Sequence, residues 1–298
     1  MKDHSLEVHG CHTYDATGAI SPSICLSATF RHPRFGESTG YDYGRVANPT
    51  RESLEKTVAL LERGGRSWAL SSGMAAVQLV FSLLSAGDHV LMSEDLYGGT
   101  VRLAEEVFAG YGITFEYVDV RDLALVGKRM RSETKLVFIE TPSNPMMQIA
   151  DIAALSALAH ENGALLAVDN TFLSPHFQKP LTLGADIVLH SGTKYLCGHN
   201  DVIAGFLVLK DATSAEAKRI ELLAKSAGPN LSALDSWLML RSIKTLGVRV
   251  ERQAENALAI ARWLGTLPEV TEVLYPGLAD HPGYALQQKQ ASGAGGMI

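Results

Sequence analysis

The sequence lacks the features that mark secreted, membrane-bound or disulfide-stabilised proteins. Its 298 residues include only three scattered cysteines, Cys11, Cys25 and Cys197. So few cysteines, in an odd number, indicate reduced thiols in a reducing compartment. No stretch approaches the roughly 18 apolar residues of a transmembrane helix, and the N-terminal MKDHSLEVHG lacks the apolar core of a secretory signal. We therefore expect a cytoplasmic protein with no membrane partner.

An excess of positive charge is also missing. Lys and Arg number 26 against 32 Asp and Glu, so the net charge is −6, and no basic run occurs. A phosphate backbone would meet net repulsion, so we expect no nucleic-acid partner. The composition is 46% hydrophobic and 19% charged, which indicates a folded globular chain of about two domains.

Short apolar runs alternate with segments of helical periodicity after an irregular N-terminal segment. The runs cover 68–70, 89–92, 114–118, 136–139, 164–168, 186–189 and 206–209, and helical spacing covers 75–84, 100–108, 152–162, 232–246 and 250–264. This alternation predicts an α/β fold with a mostly parallel sheet flanked by helices. We expect an arm over 1–46, a main domain over 47–245 opened by a helix that Thr50 caps, and over 246–298 the start of a truncated C-terminal domain.

Polar residues follow several predicted strands, where open α/β sheets bind ligands. Ser72, Gly73 and Met74 follow the first strand, and small residues at a helix start let backbone N–H groups approach a phosphate. A plain tight turn is the alternative. Glu140 and Asn144 lie in a Pro-rich loop after the run 136–139.

A carboxylate and a lysine end two neighbouring predicted strands. Asp169 follows the apolar run 164–168, where an unpaired charge is unfavourable, so it either binds a cation or caps a turn. Lys194 follows the run 186–189, and its apolar flanks predict that it is shielded from solvent and available as a nucleophile. A helix start, Asp169 and Lys194 together match the phosphate, protonated ring nitrogen and aldehyde of pyridoxal 5′-phosphate (PLP). Lys194 would then hold the aldehyde as a Schiff base, and Tyr97 would stack on the ring.

These segments resemble the Cys/Met metabolism, or trans-sulfuration, family of fold-type I PLP-dependent enzymes. The segments that carry the resemblance, in the family's order, are Tyr41 to Arg45 with Asn48-Pro49-Thr50, Ser72 to Met74, Leu96 to Gly98, Glu140 to Pro142 with Asn144-Pro145, Val168 to Thr171, and Ser191 to Lys194. The resemblance implies Lys194 and Tyr97 as catalytic residues. It implies cofactor contacts from Tyr43, Arg45, Ser72, Gly73, Met74, Tyr97, Glu140, Asn144, Asp169, Thr171, Ser191, Thr193 and Lys194. It also implies a homo-oligomer, at least a dimer and usually a tetramer, because the residues matching Tyr43 and Arg45 reach the phosphate of a neighbouring subunit.

Within the family, the segment 31–40 is most similar to cystathionine γ-synthase and O-acetylhomoserine thiolyase members. This similarity implies γ-replacement on an O-acylated homoserine by cysteine or another thiol, as in methionine biosynthesis. Asp42 resembles an acidic residue that faces the distal amino group of cystathionine, and Gly99 stands where methionine-degrading lyases have cysteine. Cystathionine β-lyase and γ-lyase activities are alternatives. So is an inactive cofactor-binding fragment, since no residue here matches the family's carboxylate-binding arginine.

Two hypotheses from other classes have weaker support. Ser191 and Lys194 fit the S-x-x-K pattern of serine acyl-transfer enzymes, and residues 36–40 fit G-x-S-x-G, but neither has the required context. His9, Cys11 and His12, with His190 and His199 elsewhere, are candidate metal ligands, but such short spacing near a terminus is usually incidental. We therefore predict no metal site.

Overall fold

The computed structural model describes residues 3–10 and 18–298, and its centre is one seven-stranded sheet. The strands are β1 (Arg66–Leu70), β2 (His89–Ser93), β3 (Thr114–Val118), β4 (Thr134–Glu140), β5 (Leu165–Asp169), β6 (Ile187–Ser191) and β7 (Gly205–Leu209), in the order β1-β7-β6-β5-β4-β2-β3. The four ladders among β2 to β6 are parallel, and β7 runs antiparallel to both of its neighbours. The predicted mostly parallel sheet is confirmed.

Helices cover both faces of the sheet. They are α1 (Asp3–His9), α2 (Pro49–Leu61), α3 (Gly73–Phe81), α4 (Gly98–Arg102), α5 (Leu123–Arg129), α6 (Ile152–Glu161), α7 (Ser174–Phe177), α8 (Ala215–Ala227), α9 (Ala233–Ile243), α10 (Leu246–Leu264) and α11 (Tyr284–Gln290). Alternate residues of β4 enter different core clusters: Val137 and Ile139 pack in one, Leu136 and Phe138 in the other. The sheet is therefore buried on both faces, which explains the continuous apolar runs.

Helix α2 begins differently from the sequence prediction. Asn48, not Thr50, is the N-cap, and its Oδ1 accepts from the N–H groups of Thr50 at 3.0 Å and Arg51 at 3.2 Å. Pro49 occupies the first helical position, where its missing N–H is not needed. The Thr50 hydroxyl instead accepts from Cys25 N at 2.9 Å and so attaches the arm to the helix.

The N-terminal segment contains a helix that the sequence pattern did not reveal. Helix α1 has only Leu6 among its buried apolar residues, so it shows no sustained amphipathic period. Residues 18–47 form no helix or regular strand, only isolated bridges such as Thr29 with Tyr43. The predicted boundary of the arm at residue 46 stays a prediction.

Residues 246–298 begin with the long helix α10. A small cluster of Ala257, Ala261, Tyr275 and Ala294 packs there apart from the two clusters of the sheet. Among the described residues, no helix combines the length and the apolar character that crossing a bilayer requires.

Candidate active site

A cavity of about 310 Å³ lies at the edge of the sheet where β1, β2, β4, β5 and β6 end and β7 begins. Its lining is Ser72, Gly73, Met74, Val77, Tyr97, Thr100, Glu140, Asn144, Asp169, Thr171, Phe172, Ser191, Thr193, Lys194 and Ile203. Every residue predicted to contact the cofactor, except Tyr43 and Arg45, therefore surrounds one space. Segments of the chain that are more than 120 positions apart meet here because the parallel strands end at the same edge of the sheet.

The start of α3 forms one wall of the cavity. Ser72 is the N-cap, and its Oγ accepts from Ala75 N at 3.1 Å. The N–H groups of Gly73 and Met74 precede the first intrahelical bond, so they can donate to an anion. Gly73 lies against β6: a Cβ there would be 2.9 Å from the Ser191 Cβ. A side chain at position 73 would therefore push the helix start away from the cavity.

Asp169, the last residue of β5, is held by Thr171. Its Oδ1 accepts from the Thr171 N–H at 3.0 Å and from the Thr171 hydroxyl at 2.5 Å. The same hydroxyl accepts from Ser191 N at 2.8 Å, which links β5 to β6. Both bonds to the carboxylate end on Oδ1, so Oδ2 is positioned to accept from a protonated ring nitrogen.

Two carboxyl groups lie side by side at the base of the cavity. Glu140 and Asp169 are register partners on β4 and β5. Burial raises the pKa of Glu140 well above its usual range, and the nearby charge of Asp169 raises it further. Burial also raises the pKa of Asp169, against the opposing effects of its bonds from Thr171 and of the His190 charge. The site therefore favours a cationic ligand group, which would offset the repulsion.

Lys194 and Tyr97 line the more open part of the cavity. Lys194 is exposed, so the prediction that it is shielded from solvent was wrong. It lies on a turn after β6 and lines the cavity, while Leu196 and Cys197, which follow it, are buried. Tyr97 is half-exposed, and its N–H donates to Glu140 Oε2 at 2.9 Å. This bond connects the predicted stacking residue to the carboxyl pair.

Behind Asp169 lies a buried pair that the sequence analysis did not identify. Glu62, at the end of α2, is fully buried, and its Oε1 lies 2.6 Å from His190 Nε2. Asn170 Nδ2 donates to the same oxygen at 2.9 Å. His190 precedes Ser191 of the cavity wall, so this pair holds the end of β6 in place. The sequence does not indicate that Glu62 is buried, because a glutamate at the end of a helix is usually exposed.

The predicted arm residues lie away from this cavity. Tyr43 and Arg45 stack on each other, with the guanidinium carbon 5.4 Å from the ring centroid, and Arg45 donates to the carbonyl of Lys225. Asp42 is exposed and pairs with His32 at 2.9 Å. None of these three residues is among those that line the cavity.

The structure also bears on the other hypotheses. Residues 36–40 form an exposed, irregular segment rather than a strand-turn-helix, so a serine nucleophile elbow is absent from this described segment. His190 is paired with Glu62, and His199 Nδ1 lies 2.6 Å from the carbonyl of Cys197. Cys11 and His12 lie outside the described residues. The lining residues that the sequence analysis missed are Val77, Thr100, Phe172 and Ile203, none of which has a chemistry that singles it out.

The residues around the cavity fit PLP. The N–H groups at the start of α3, next to the close contact between Gly73 and Ser191, match its phosphate. The Asp169 carboxylate matches its ring nitrogen, and the Lys194 amine matches its aldehyde. A seven-stranded mixed sheet flanked by helices with such a site is the fold-type I architecture of PLP-dependent enzymes.

Comparison with known proteins identifies the family. The chain belongs to the Cys/Met metabolism PLP-dependent enzymes, whose profile matches residues 4–298. It is 46% identical to cystathionine beta-lyase MetC of Bacillus subtilis (strain 168) over 96% of this chain and 73% of that protein. It is also 46% identical to the cystathionine gamma-synthase/O-acetylhomoserine (thiol)-lyase of that strain, over 93% and 74% of the two chains.

A solved structure shows the same fold. The crystal structure of cystathionine gamma-lyase from Lactobacillus plantarum in complex with L-serine matches with a TM-score of 0.96 and 44% identity, over 99% of this chain and 77% of that chain. The protein is therefore a PLP-dependent enzyme of sulfur amino-acid metabolism. Relatives at similar identity carry lyase and synthase names, so the family alone does not select the reaction.

Proposed function

We propose that the protein catalyses γ-replacement on an O-acylated homoserine, with cysteine or another thiol as the acceptor. The observation that carries the proposal is the single cavity in which Lys194, Asp169 and the start of α3 meet. The reaction choice is supported by the similarity of the arm segment 31–40 to synthase members and by a relative whose name includes γ-synthase.

Each side chain of the cavity has a role in this proposal. PLP, when bound, withdraws electrons from the substrate carbon that loses a proton. The N–H groups of Gly73 and Met74, with Ser191 and Thr193, bind its phosphate, and Asp169 keeps its ring nitrogen protonated. When it is not bonded to the cofactor, the Lys194 amine would remove the proton from the substrate Cα and then from Cβ. The acyloxy group would leave Cγ as a carboxylate, and the thiol sulfur would bond to that carbon in its place. Tyr97 covers the ring face, and its hydroxyl assists proton transfer.

The geometry around Gly99 disfavours one other family reaction. A Cβ at this position would collide with the Tyr97 ring and lie 3.1 Å from Met74 Sδ. The cysteine expected in methionine-degrading lyases would therefore displace Tyr97. Glycine at position 99 therefore does not match the methionine γ-lyase pattern, while the two cystathionine lyase activities are separated by experiment.

The proposal includes an assembly. Tyr43 and Arg45 are exposed, Arg45 contacts Lys225 of α8, and neither residue lines this chain's cavity. We propose that they bind the cofactor phosphate of a second subunit, so that the working form is at least a dimer. A cytoplasmic location is part of the same proposal.

Hydrogen exchange separates the candidate reactions. The PLP-loaded 298-residue chain is incubated in deuterated water with O-acetylhomoserine and cysteine, and in parallel with cystathionine. The proposal predicts cystathionine as the product of the first mixture and deuterium at both Cα and Cβ of the recovered amino acid. Exchange at Cα alone, with pyruvate and homocysteine formed from cystathionine, would establish β-elimination instead. Formation of 2-oxobutyrate and cysteine from cystathionine would establish γ-elimination. Cofactor binding without exchange or turnover would establish the inactive fragment.

A further inference from the structure

Outside the cavity, two histidines and two glutamates meet where α1, α7 and α10 come together. His4 and Glu7 lie on α1, His176 on α7 and Glu251 on α10. The group joins residues up to 247 positions apart, which is why the sequence analysis did not single it out. None of the four lines the cavity that contains Lys194.

The carboxylates and imidazoles alternate around this group. Glu7 faces one nitrogen of each histidine: Oε1 lies 2.7 Å from His176 Nδ1, and Oε2 lies 3.7 Å from His4 Nδ1. Glu251 Oε1 faces the other nitrogens, 3.3 Å from His176 Nε2 and 3.6 Å from His4 Nε2. One ligand atom from each of His4, Glu7 and His176 lies within 4.8 Å of the other two.

The charge balance of the group favours a cation. The side chain of Glu7 is only 4% exposed, and its Oε2 also accepts from Gly247 N at 3.1 Å. Among the described residues, neither Glu7 nor Glu251 forms an ion pair with Lys or Arg, only with these two histidines. The two carboxylates therefore face each other's imidazole partners with no described Lys or Arg opposite them, and an added cation would offset their charge.

The donor set fits a divalent transition metal. Zinc bound by imidazole nitrogen and carboxylate oxygen has bonds of roughly 2.0–2.2 Å, so tetrahedral ligands lie on the order of 3.4 Å apart. The separations from His176 Nδ1 to Glu7 Oε1, 2.7 Å, and from His4 Nδ1 to Glu7 Oε2, 3.7 Å, lie on either side of that value, and all three ligand atoms are within 4.8 Å of one another. Metal-bound histidines commonly direct their second nitrogen to a carboxylate, which is the position of Glu251 relative to both rings.

We propose that His4, Glu7 and His176 form a binding site for a divalent transition-metal ion of the zinc type, with Glu251 orienting both imidazoles. The metal replaces the hydrogen shared by His176 Nδ1 and Glu7 Oε1, and that proton leaves to solvent. Because the ligands come from α1 and α7, with α10 behind them, the bound ion fastens the N-terminal helix to the body of the protein. This site is independent of the proposed reaction.

Zinc titration of the untagged, PLP-loaded protein tests the site. After removal of metals with a chelator, ZnCl₂ is added in competition with a chromophoric chelator, and the midpoint of thermal unfolding is recorded. We expect one zinc per chain, release of protons on binding, and a rise of the unfolding midpoint by about 2 °C or more.

Variants separate the proposed site from adventitious binding. His4→Ala alters a side chain that is 63% exposed, so the fold is expected to persist, and zinc affinity should fall at least about tenfold. Glu251→Gln, on a different helix, should weaken zinc binding by roughly 10- to 100-fold. His9→Ala is the matched control, because His9 ends the same helix outside the group. Absence of stoichiometric binding, or equal affinity in wild type and both site variants, would overturn the proposal, as would a loss confined to His9→Ala.

Discussion

The cavity lining and the arm place their functional residues by different physical means. Asp169 and Ser191 end strands of a buried sheet, and hydrogen bonds through Thr171 connect them. Tyr43 and Arg45 lie on an irregular segment held by single contacts, such as Gly44 N to the Ala28 carbonyl at 2.7 Å. Strand ends bring the cavity lining together within one chain, whereas the arm residues reach their proposed target only in an assembly.

The largest expected effect is in the cavity. Lys194→Ala removes the amine that is proposed to move protons at the substrate, so turnover of the PLP-loaded protein should fall by at least about 10³-fold. Steady-state product formation measures this, and circular dichroism checks the fold. Lys210→Ala, an exposed lysine after β7, is the control and should retain activity. Comparable turnover in Lys194→Ala and wild type would contradict the account.

The next effect is in the arm and depends on assembly. Arg45→Ala removes a charge-assisted contact to phosphate, which is worth about 1.5–3 kcal/mol, so PLP should bind about 10- to 100-fold more weakly in the oligomer. Fluorescence titration with PLP measures the affinity, and sedimentation gives the assembly. Arg34→Ala is the matched arm control, since Arg34 is exposed and pairs only with Glu37 within the described chain. If both variants bind PLP as wild type does, the arm has no role at the phosphate.

A pH effect of intermediate size belongs to the carboxyl pair. The pKa of Glu140 is raised in the folded chain by burial and by Asp169, so between its ordinary and raised pKa the folded state binds more protons than the unfolded state. The free energy of unfolding of the PLP-free protein should therefore fall as pH rises from about 4 toward neutral. Glu140→Gln should flatten that slope and raise the free energy of unfolding at pH 7, because the variant has no buried carboxylate at this position.

Urea denaturation at several pH values measures this slope. Asp169→Asn provides an independent check, because removing the Asp169 charge should also reduce the pH dependence. If the free energy of unfolding depends on pH equally in wild type and both variants, burial does not disfavour the ionised forms of these two carboxyl groups.

The smallest effect concerns the exposed end of the arm. Asp42→Asn removes a charge that pairs with His32 near the surface, and exposed pairs contribute up to about 1 kcal/mol. The KM for cysteine as acceptor should rise by less than about fivefold, with no change for a thiol that lacks an amino group. Ser38→Ala serves as a control, because Ser38 donates to Asp42 without carrying charge. An equal change for both thiols would remove Asp42 from substrate recognition.

The sequence predicted the part of the molecule that local rules determine. Buried parallel strands produce continuous apolar runs, so all seven strands were located, and turn residues at their ends indicated most of the cavity lining. Local rules also account for the ends of α6, because the Asp151 side chain accepts from Ala154 N at its start and Gly163, after its end, has a φ of 69°.

Features that depend on distant partners could not be predicted. The pairing of Glu62 with His190 joins residues 128 positions apart, and neither residue differs locally from an exposed one. The exposure of Lys194 follows from the open cavity mouth rather than from its apolar flanks. Helix α1 is stabilised by packing against α2 and α10 instead of by its own pattern, because tertiary contacts override weak periodicity.

The central claim is that the Lys194 amine is the group that binds the PLP aldehyde. Borohydride reduction of the PLP-loaded protein, followed by proteolysis and mass spectrometry, tests it directly. We predict one pyridoxyl-modified peptide, containing Ser191 to Tyr195, with the label on Lys194. A label on another lysine, or no stable label at all, would contradict the account.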